Sequence, residues 1–494
     1  MLELTARQAK ALEHVRTNSP KVTALASAFQ AAGHELYLVG GSVRDALLGR
    51  LGNDLDFTTS ARPDEIEKLV KPLAKATWDV GRAYGTIAAL LVDDPEDAEE
   101  GKEEDNQPKE WQVEITTFRA DTYTSDSRKP EVIFGDHLAG DLIRRDFTVN
   151  AMAVDMYTGK LLDPFRGLDD LELRTIRTPA APEISFSDDP LRMMRAARFI
   201  SQLGFLPDVD VVHAMSDMKE RIEIVSAERI RTELDKLLLS NNPRLGLNLM
   251  VETGLADIVL PELPALKLEI DEHHRHKDVY EHSLLVLEQA IDLEKSRGHQ
   301  PDLILRIAAL LHDIGKPATR QFGPGNKVSF LHHDIVGAKL AKKRMKALKY
   351  SNEQIDAVYK LIELHLRFYG YTDAEWTDSA VRRYVRDAGD QLERLHILTR
   401  ADCTSGNLKK VATLKSAYDQ LEWRIEMLNE QEELDAIRPD LNGDQIMQIL
   451  GIKPGRVVGE AYKFMLEKRI DDGPMDEQKA TKVLLQWWEE RQSS

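Results

Sequence analysis

An α+β fold is predicted for this chain, with a first part that mixes short strands and helices and a remainder that is mainly helical. Three observations predict it. The apolar runs ELYLVGG (35–41) and TIAALLV (86–92) have the length of strands, and WQVEITTF (111–118) alternates as a half-buried strand does. From about residue 183 such runs fade. PLRMMRAARFISQLGF (190–205) and AERIRTELDKLLL (227–239) then show helical spacing, with Gly or Asn just past their ends. A length of 494 residues suits roughly three domains. Pro261 and Pro264 before the polar DEHHRHKD (271–278), and the Pro/Gly cluster IRPDLNGD (437–444), mark boundaries in the helical part.

Hydrophobic residues at 42% and charged residues at 30% are enough for packed cores and exclude wholesale disorder. MLELTARQAKALEHV is too polar for a secretory signal, and no apolar run approaches the ~18 residues of a spanning helix, so a soluble globular protein with no membrane partner is expected. The single cysteine, Cys403, permits no internal disulfide and suits the cytoplasm. A net charge of −18 argues against non-specific coating of nucleic acid, while a local basic cleft remains compatible with it. Residues 93–105 hold nine acids and one lysine, which self-repulsion makes a solvated loop with no chemical role.

The chemistry-bearing residues begin with LVGGSVRDALLGR (38–50). It sets Gly40 and Gly41 between an apolar strand and an amphipathic helix, where backbone amides can face a phosphate and Arg44 can add a fork of donors. In NDLDFTT (53–59) Asp54 and Asp56 are one residue apart, which on a strand turns both carboxylates to one face. Two such charges side by side call for a cation. Oxygen ligands favour a hard divalent one, typically Mg²⁺, which can also hold a nucleotide triphosphate. Glu114, on a neighbouring strand, is a candidate third carboxylate. LIRRDFTVNAMAVD (142–155) offers Arg145 to neutralise phosphate, and Asp146 and Asn150 either to bind a sugar or to fix the loop. In DDPLRMMRAARF (188–199), Asp189, Arg192, Arg195 and Arg198 recur every three residues as a drifting stripe, with Leu191, Met194, Ala197 and Phe199 facing elsewhere. The stripe reads either as a solvated, salt-bridged face or as a set that hydrogen-bonds a base edge and serves phosphates.

In this order GGSVRDALLG, the DLD pair, RRDFTVNAMA, DPFRGLDDLELRTIR (163–177), DDPLRMMRAARF and AERIRTEL resemble the motif series of class II tRNA nucleotidyltransferases. These are the bacterial CCA-adding enzymes and their poly(A) polymerase relatives, and the resemblance covers about residues 36–240. It implies a polymerase β-like nucleotidyltransferase head, a small mixed sheet plus helices, over 1–180, and a helical neck with the nucleotide-specificity motif over 181–270. It implies that Asp54 and Asp56 carry Mg²⁺; Glu114, from its place on the neighbouring strand, is expected as a third catalytic carboxylate. Gly40, Gly41, Arg44, Asp45, Arg145, Asp146 and Asn150 would bind the nucleotide, Asp189 with Arg192 would read its base, and Arg195 and Arg198 would join the phosphate-binding arginines. FRADTYTSDSRKP (118–130) is similar to the family's flexible loop, which is associated with the switch from C to A addition. Two departures stand out: Asp188-Asp189 replaces the usual Glu-Asp, and the acidic insertion lengthens a connection in the head.

The second half carries another series. YEHSLLVLEQA (280–290) places His282 on an amphipathic helix, and ALLHDIGKP (309–317) ends an apolar helix with His312-Asp313. HHDIVGAKL (332–340), IELHLRF (362–368) and TRADC (399–403) add His333, His365 and Asp402. Adjacent His and Asp at a helix end can bind one metal from two sides. The series is similar to the HD phosphohydrolase superfamily over about 278–405, and His333 rather than His332 fits its His-x-x-x-Gly-Ala element. The resemblance implies an HD domain over 271–430 that binds one or two divalent transition metal ions of open identity. A helical tail over 431–494 would help to hold tRNA.

Together the resemblances imply template-independent, Mg²⁺-dependent addition of C, C and A to the 3′ end of tRNA from CTP and ATP, with release of pyrophosphate. The partners implied are the 3′ end and acceptor region of tRNA, and no DNA. The layout of the whole chain is similar to actinobacterial tRNA nucleotidyltransferases. Two alternatives stay open: a poly(A) polymerase acting on RNA 3′ ends, and an HD-type metal-dependent phosphohydrolase whose head only binds nucleotide.

Overall fold

The computed structural model describes residues 4–17, 19–93, 109–119, 137–268, 279–324, 328–368, 371, 376–403, 408–432 and 438–492. The acidic run from residue 94 onward, the segment 120–130 and the polar boundary 271–278 lie outside the described residues. The chain divides into two compact units, Met1–Val259 and Leu260–Ser494.

Seven strands organise the first unit: β1 (Leu36–Val39), β2 (Asp54–Thr59), β3 (Ala76–Gly81), β4 (Thr86–Val92), β5 (Glu110–Thr117), β6 (Ala153–Asp155) and β7 (Leu161–Leu162). Their spatial order is β3-β4-β5-β2-β1-β6-β7. β2 and β5 run parallel and the other neighbours antiparallel, which makes the small mixed sheet that was expected. The sequence alternation explains which face is which. Leu55 and Phe57 of β2 and Val113 and Ile115 of β5 are buried, and the pleat turns Asp54, Asp56 and Glu114 to the opposite face. The helices Pro20–Ala31 and Pro63–Val70 pack on the sheet and bury Leu25, Phe29, Ile66 and Val70.

Beyond residue 177 the unit is helical, as the fading of strand patterns predicts, apart from the short pairing of Thr175–Ile176 with Leu206–Pro207. Helix Leu191–Leu203 ends on Gly204 at φ +68°, a left-handed cap that glycine adopts without strain. Helix Pro243–Glu252 meets it closely at Gly246, where a Cβ would lie 2.3 Å from the Ala197 carbonyl oxygen.

In the second unit, the helices Val279–Ser296, Leu303–Leu311, His333–Ala347, Asn352–Leu364 and Leu392–Asp402 pack together. A fully buried ion pair, Arg306 to Glu294 at 2.8 Å, joins two of them. The C-terminal helices Gly443–Leu450, Arg456–Asp472 and Glu477–Gln492 share a small core of their own, including Leu441, Ile446, Met465 and Leu484. Among the described residues no helix is long and apolar enough to cross a membrane.

Candidate active site and metal centre

Backbone conformation shapes the first site. Gly40 sits at φ +70°, ψ −137°, where side chains are strained. A Cβ there would stand 2.9 Å from a guanidinium nitrogen of Arg145 and 3.6 Å from Asp56 Oδ2, so glycine lets both close over the turn. Ser42 then ties the turn to β2: its hydroxyl accepts from the Asp56 N–H at 2.9 Å and donates to the Asp54 carbonyl at 3.3 Å. Across the parallel pair Asp56 stands in register with Glu114. Asp54, Asp56 and Glu114 therefore come together on one face, the two aspartates through their spacing and Glu114 through the strand pairing.

Electrostatics mark the same spot. Burial raises the Asp56 carboxyl above its ordinary range and Asp54 adds to the effect, against the pull of Arg145 and Arg44. Glu114 is raised by burial and then by the charges of Asp56 and Asp54. Carboxylates that disfavour one another's ionisation define a place short of positive charge. An all-oxygen donor set of this kind fits a hard divalent cation.

Behind the acids lies an arginine network. Arg44 binds Asp45 through Nε at 3.0 Å and Nη2 at 2.8 Å, and donates through Nη1 to Asn150 Oδ1 at 2.7 Å. The Asn150 amide donates to Asp146 Oδ1 at 3.0 Å, and Arg195 grips Asp146 Oδ2 through Nε at 2.8 Å and through Nη2. Although burial opposes its charge, Arg195 and Asn150 hold the Asp146 carboxyl well below its ordinary range. Asp146 and Asn150 thus bond the arginines around them, the geometry that the loop-fixing reading calls for. Arg198 completes the set through Glu233 at 2.5 Å.

The arginine stripe is not a solvated face: Arg192 and Arg198 are buried at 8% and 7% exposure. Phe199 does not face away from it either. Its ring lies among Arg44, Arg195 and Arg198, because the fourth residue after Arg195 shares its side of the helix and the long Arg198 side chain folds back over the ring. At the other end of the helix Asp189 accepts from the Leu191 N–H at 3.2 Å and from Arg229 at 3.1 Å. Arg192 donates to Ser185 Oγ at 2.8 Å and to the Arg144 carbonyl. Ser185 and Arg229 were not singled out from the sequence. Only the AERIRTEL block contained a signal for the second.

The second unit assembles all six HD-type candidates. His282 Nε2 lies 2.9 Å from Asp402 and 3.6 Å from Asp313, and His333 Nε2 lies 3.2 Å from Asp313. His312 Nε2 stands 3.2 Å from Asp313 and 3.4 Å from Asp402. Three rings are oriented by backbone carbonyls: the Nδ1 atoms of His312, His333 and His365 lie 2.9, 2.8 and 2.6 Å from the carbonyls of Ala309, Phe330 and Ile362. A carbonyl only accepts, so Nδ1 carries a proton and Nε2 turns inward, on the side where a metal-ligating imidazole presents its lone pair. His365 Nε2 is buried with no hydrogen-bond partner.

Two ligand sets result, His282/His312/Asp402 and Asp313/His333/His365, each with its donor atoms within 4.8 Å of one another. Against burial, Asp313 and Asp402 push the His312 imidazole up to about 10, so without a metal ion its Nε2 takes up a proton in the ion's place, while the two carboxylates stay ionised. Burial, aided by His312, pushes His365 down to about 4 and keeps it neutral. Mixed imidazole and carboxylate donors fit a divalent transition metal. His333 is buried whereas His332 is exposed, in accord with the sequence choice. Two unpredicted neighbours appear. Lys316 Nζ lies 2.9 Å from Asp313, and Gly315 allows a close crossing in which a Cβ would sit 2.1 Å from the His333 carbonyl oxygen. Cys403, 6% exposed, follows Asp402 directly.

Comparison with known proteins agrees with this anatomy. Residues 36–177 match the poly A polymerase head domain family, 204–266 the probable RNA and SrmB-binding site of polymerase A, and 279–407 the HD domain. The chain therefore carries segments similar to a poly A polymerase head, its RNA-binding segment and an HD domain, in that order. It is also similar to CCA-adding enzymes. That of Bacillus velezensis is 42% identical over 236 residues, 48% of this chain and 53% of the relative. That of Enterococcus faecalis is 40% identical over 254 residues, 49% and 57%. The chain spans about half the length of these curated relatives. Among solved structures, the Bacillus stearothermophilus CCA-adding enzyme in complex with CTP matches with TM-score 0.63 and 25% identity, covering 96% of this chain and 99% of that one. The Thermotoga maritima CCA-adding enzyme complexed with tRNA shares the fold at TM-score 0.59 and 19% identity, covering 99% and 100%.

Proposed function

We propose that this protein adds C, C and A to the 3′ end of tRNA, using CTP and ATP and releasing pyrophosphate. The observation that carries the reading is the carboxylate trio Asp54, Asp56 and Glu114 beside Arg145 and Arg44, in a chain similar along nearly its whole length to a CTP-bound CCA-adding enzyme. In this reading the head extends to about residue 180, the neck to 270, the HD domain to 430, and the tail follows. A cytoplasmic location fits the single, buried cysteine.

The trio would hold Mg²⁺, which supplies the charge that lowers the pKa of the tRNA 3′-hydroxyl and stabilises the departing pyrophosphate. The protein's own residues do the rest. Gly40 and Gly41 let the backbone approach the nucleotide, while Arg145, Arg44, Arg195 and Arg198 neutralise phosphate oxygens. Asp45, Asp146 and Asn150 orient those arginines. Asp189 contributes acceptors and Arg192 donors to the incoming base. Cytosine and adenine share an amine donor beside a ring-nitrogen acceptor. Uracil and guanine present a carbonyl and an N–H there, so they leave buried groups unpaired. Ser185, Arg144 and Arg229 hold the pair in place from behind.

The deciding experiment incubates the protein with tRNA lacking its terminal CCA and with each nucleotide separately. Ordered incorporation of C, C and A supports the reading, whereas indiscriminate addition of A alone to any RNA would make it a poly(A) polymerase. We further propose that His282, His312, Asp313, His333, His365 and Asp402 bind divalent metal for hydrolysis of a phosphate ester. The inward-turned imidazoles favour this second activity. Release of phosphate that survives Asp54→Ala and disappears in His312→Ala would assign it to the HD unit.

A further inference from the structure

The ring of Phe199 is 5% exposed, and three guanidinium groups converge on it. The Cζ atoms of Arg198, Arg44 and Arg195 stand 4.0, 5.3 and 5.5 Å from its centroid. All are within the ~6 Å over which a cation is attracted to an aromatic face. Phe147 meets the same ring edge-on at 5.6 Å and 83°, which fixes its tilt. Each arginine has its own nearest carboxylate, Asp45 for Arg44, Asp146 for Arg195 and Glu233 for Arg198, and Glu233 also lies 3.8 Å from Arg195. The ring is what the three share. They come from two distant segments, and three like charges this close need a separator that attracts each of them.

We propose that Phe199 is a positioning residue for the nucleotide triphosphate: its ring spaces Arg44, Arg195 and Arg198 so that the N–H groups not used by Asp45, Asn150, Asp146, Glu233 and Gln202 meet phosphate oxygens together. The inference rests on the nucleotidyltransferase reading and adds to it a residue with no polar atom. An apolar side chain of similar size fills the volume but does not attract the guanidinium groups. The effect therefore belongs to triphosphate affinity and not to base choice, which Asp189 and Arg192 govern.

The test compares wild type with Phe199→Leu, Phe199→Met and Phe199→Tyr in the full chain, each first shown to be folded by thermal melting. CTP and ATP turnover, equilibrium CTP binding and inhibition by pyrophosphate are measured. In Phe199→Leu or Phe199→Met, KM and the pyrophosphate inhibition constant should rise together by about five- to tenfold, with kcat within about twofold. Discrimination against UTP and GTP should stay as in wild type, and Phe199→Tyr should restore wild-type affinity. Unchanged KM and pyrophosphate inhibition in a folded ring-free variant overturns the proposal, as does an equal loss in the Tyr variant. If wild type binds CTP but adds none to tRNA, the functional reading fails while CTP binding still decides the role of Phe199. If wild type binds no CTP, both fail.

Discussion

Asp56 lies opposite Glu114 in the only parallel pair of the described sheet, and its backbone N–H is held by Ser42. The two acids are 58 residues apart in sequence, yet ladder hydrogen bonds rather than flexible rotamers set their distance. A site assembled this way is preorganised for a cation before any arrives.

Replacing Asp56 should therefore separate chemistry from folding. Asp56→Asn is expected to reduce nucleotide addition by ~10³-fold or more, since it removes a ligand of the proposed metal. Burial and Asp54 oppose the charge of Asp56, so the metal-free variant should melt at or above the wild-type temperature. The stabilisation by Mg²⁺ should vanish. An unchanged Mg²⁺-induced rise in melting temperature would count against the assignment.

Asp146 should govern acid sensitivity. Its carboxyl is held below its ordinary range in the fold, so its contribution is complete above the unfolded value near ~3.9 and is lost as pH falls toward the folded value. Asp146→Asn should flatten the fall in stability below about pH 4, and at neutral pH it should cost about 3 kcal/mol because Arg195 keeps only the more distant Glu233. Urea unfolding at pH 3, 5 and 7 measures both. A parallel downward shift at every pH would refute the linkage.

Metal content should distinguish the two adjacent histidines. His333→Ala is expected to lose bound metal and to weaken affinity by more than tenfold, whereas His332→Ala should retain the wild-type stoichiometry. Chelation of wild type should lower the melting temperature of the second unit. Equal metal content in the two variants, measured by atomic absorption, would remove His333 from the ligand set.

Gly315→Ala should act at one remove. The added methyl would overlap the His333 carbonyl, so the helix that carries His333 must shift, at a cost of about 1–3 kcal/mol. Loss of metal affinity without any change in the six ligands is the expected result. Full retention of both stability and metal would show that the crossing relaxes freely.

Much of this was legible in the sequence. The DLD pair shares a face because strands repeat every two residues, and the ordered His and Asp residues of the second half converge as their series implied. What stayed hidden depends on pairings between distant segments. Nothing local announces that Glu114 stands in register with Asp56, or that Ser185 and Arg144 hold Arg192. Phe199 was misplaced for a different reason. A three-residue rule followed the arginines and overlooked the four-residue neighbour on the same side of the helix.

The chain's single sulfhydryl, Cys403, follows the proposed metal ligand Asp402 and is nearly closed to solvent. A thiol-reactive dye can therefore mark one address in 494 residues without engineering. The rate at which it reacts becomes a clock for transient opening of the helix end beside the metal, readable with and without tRNA or added ions.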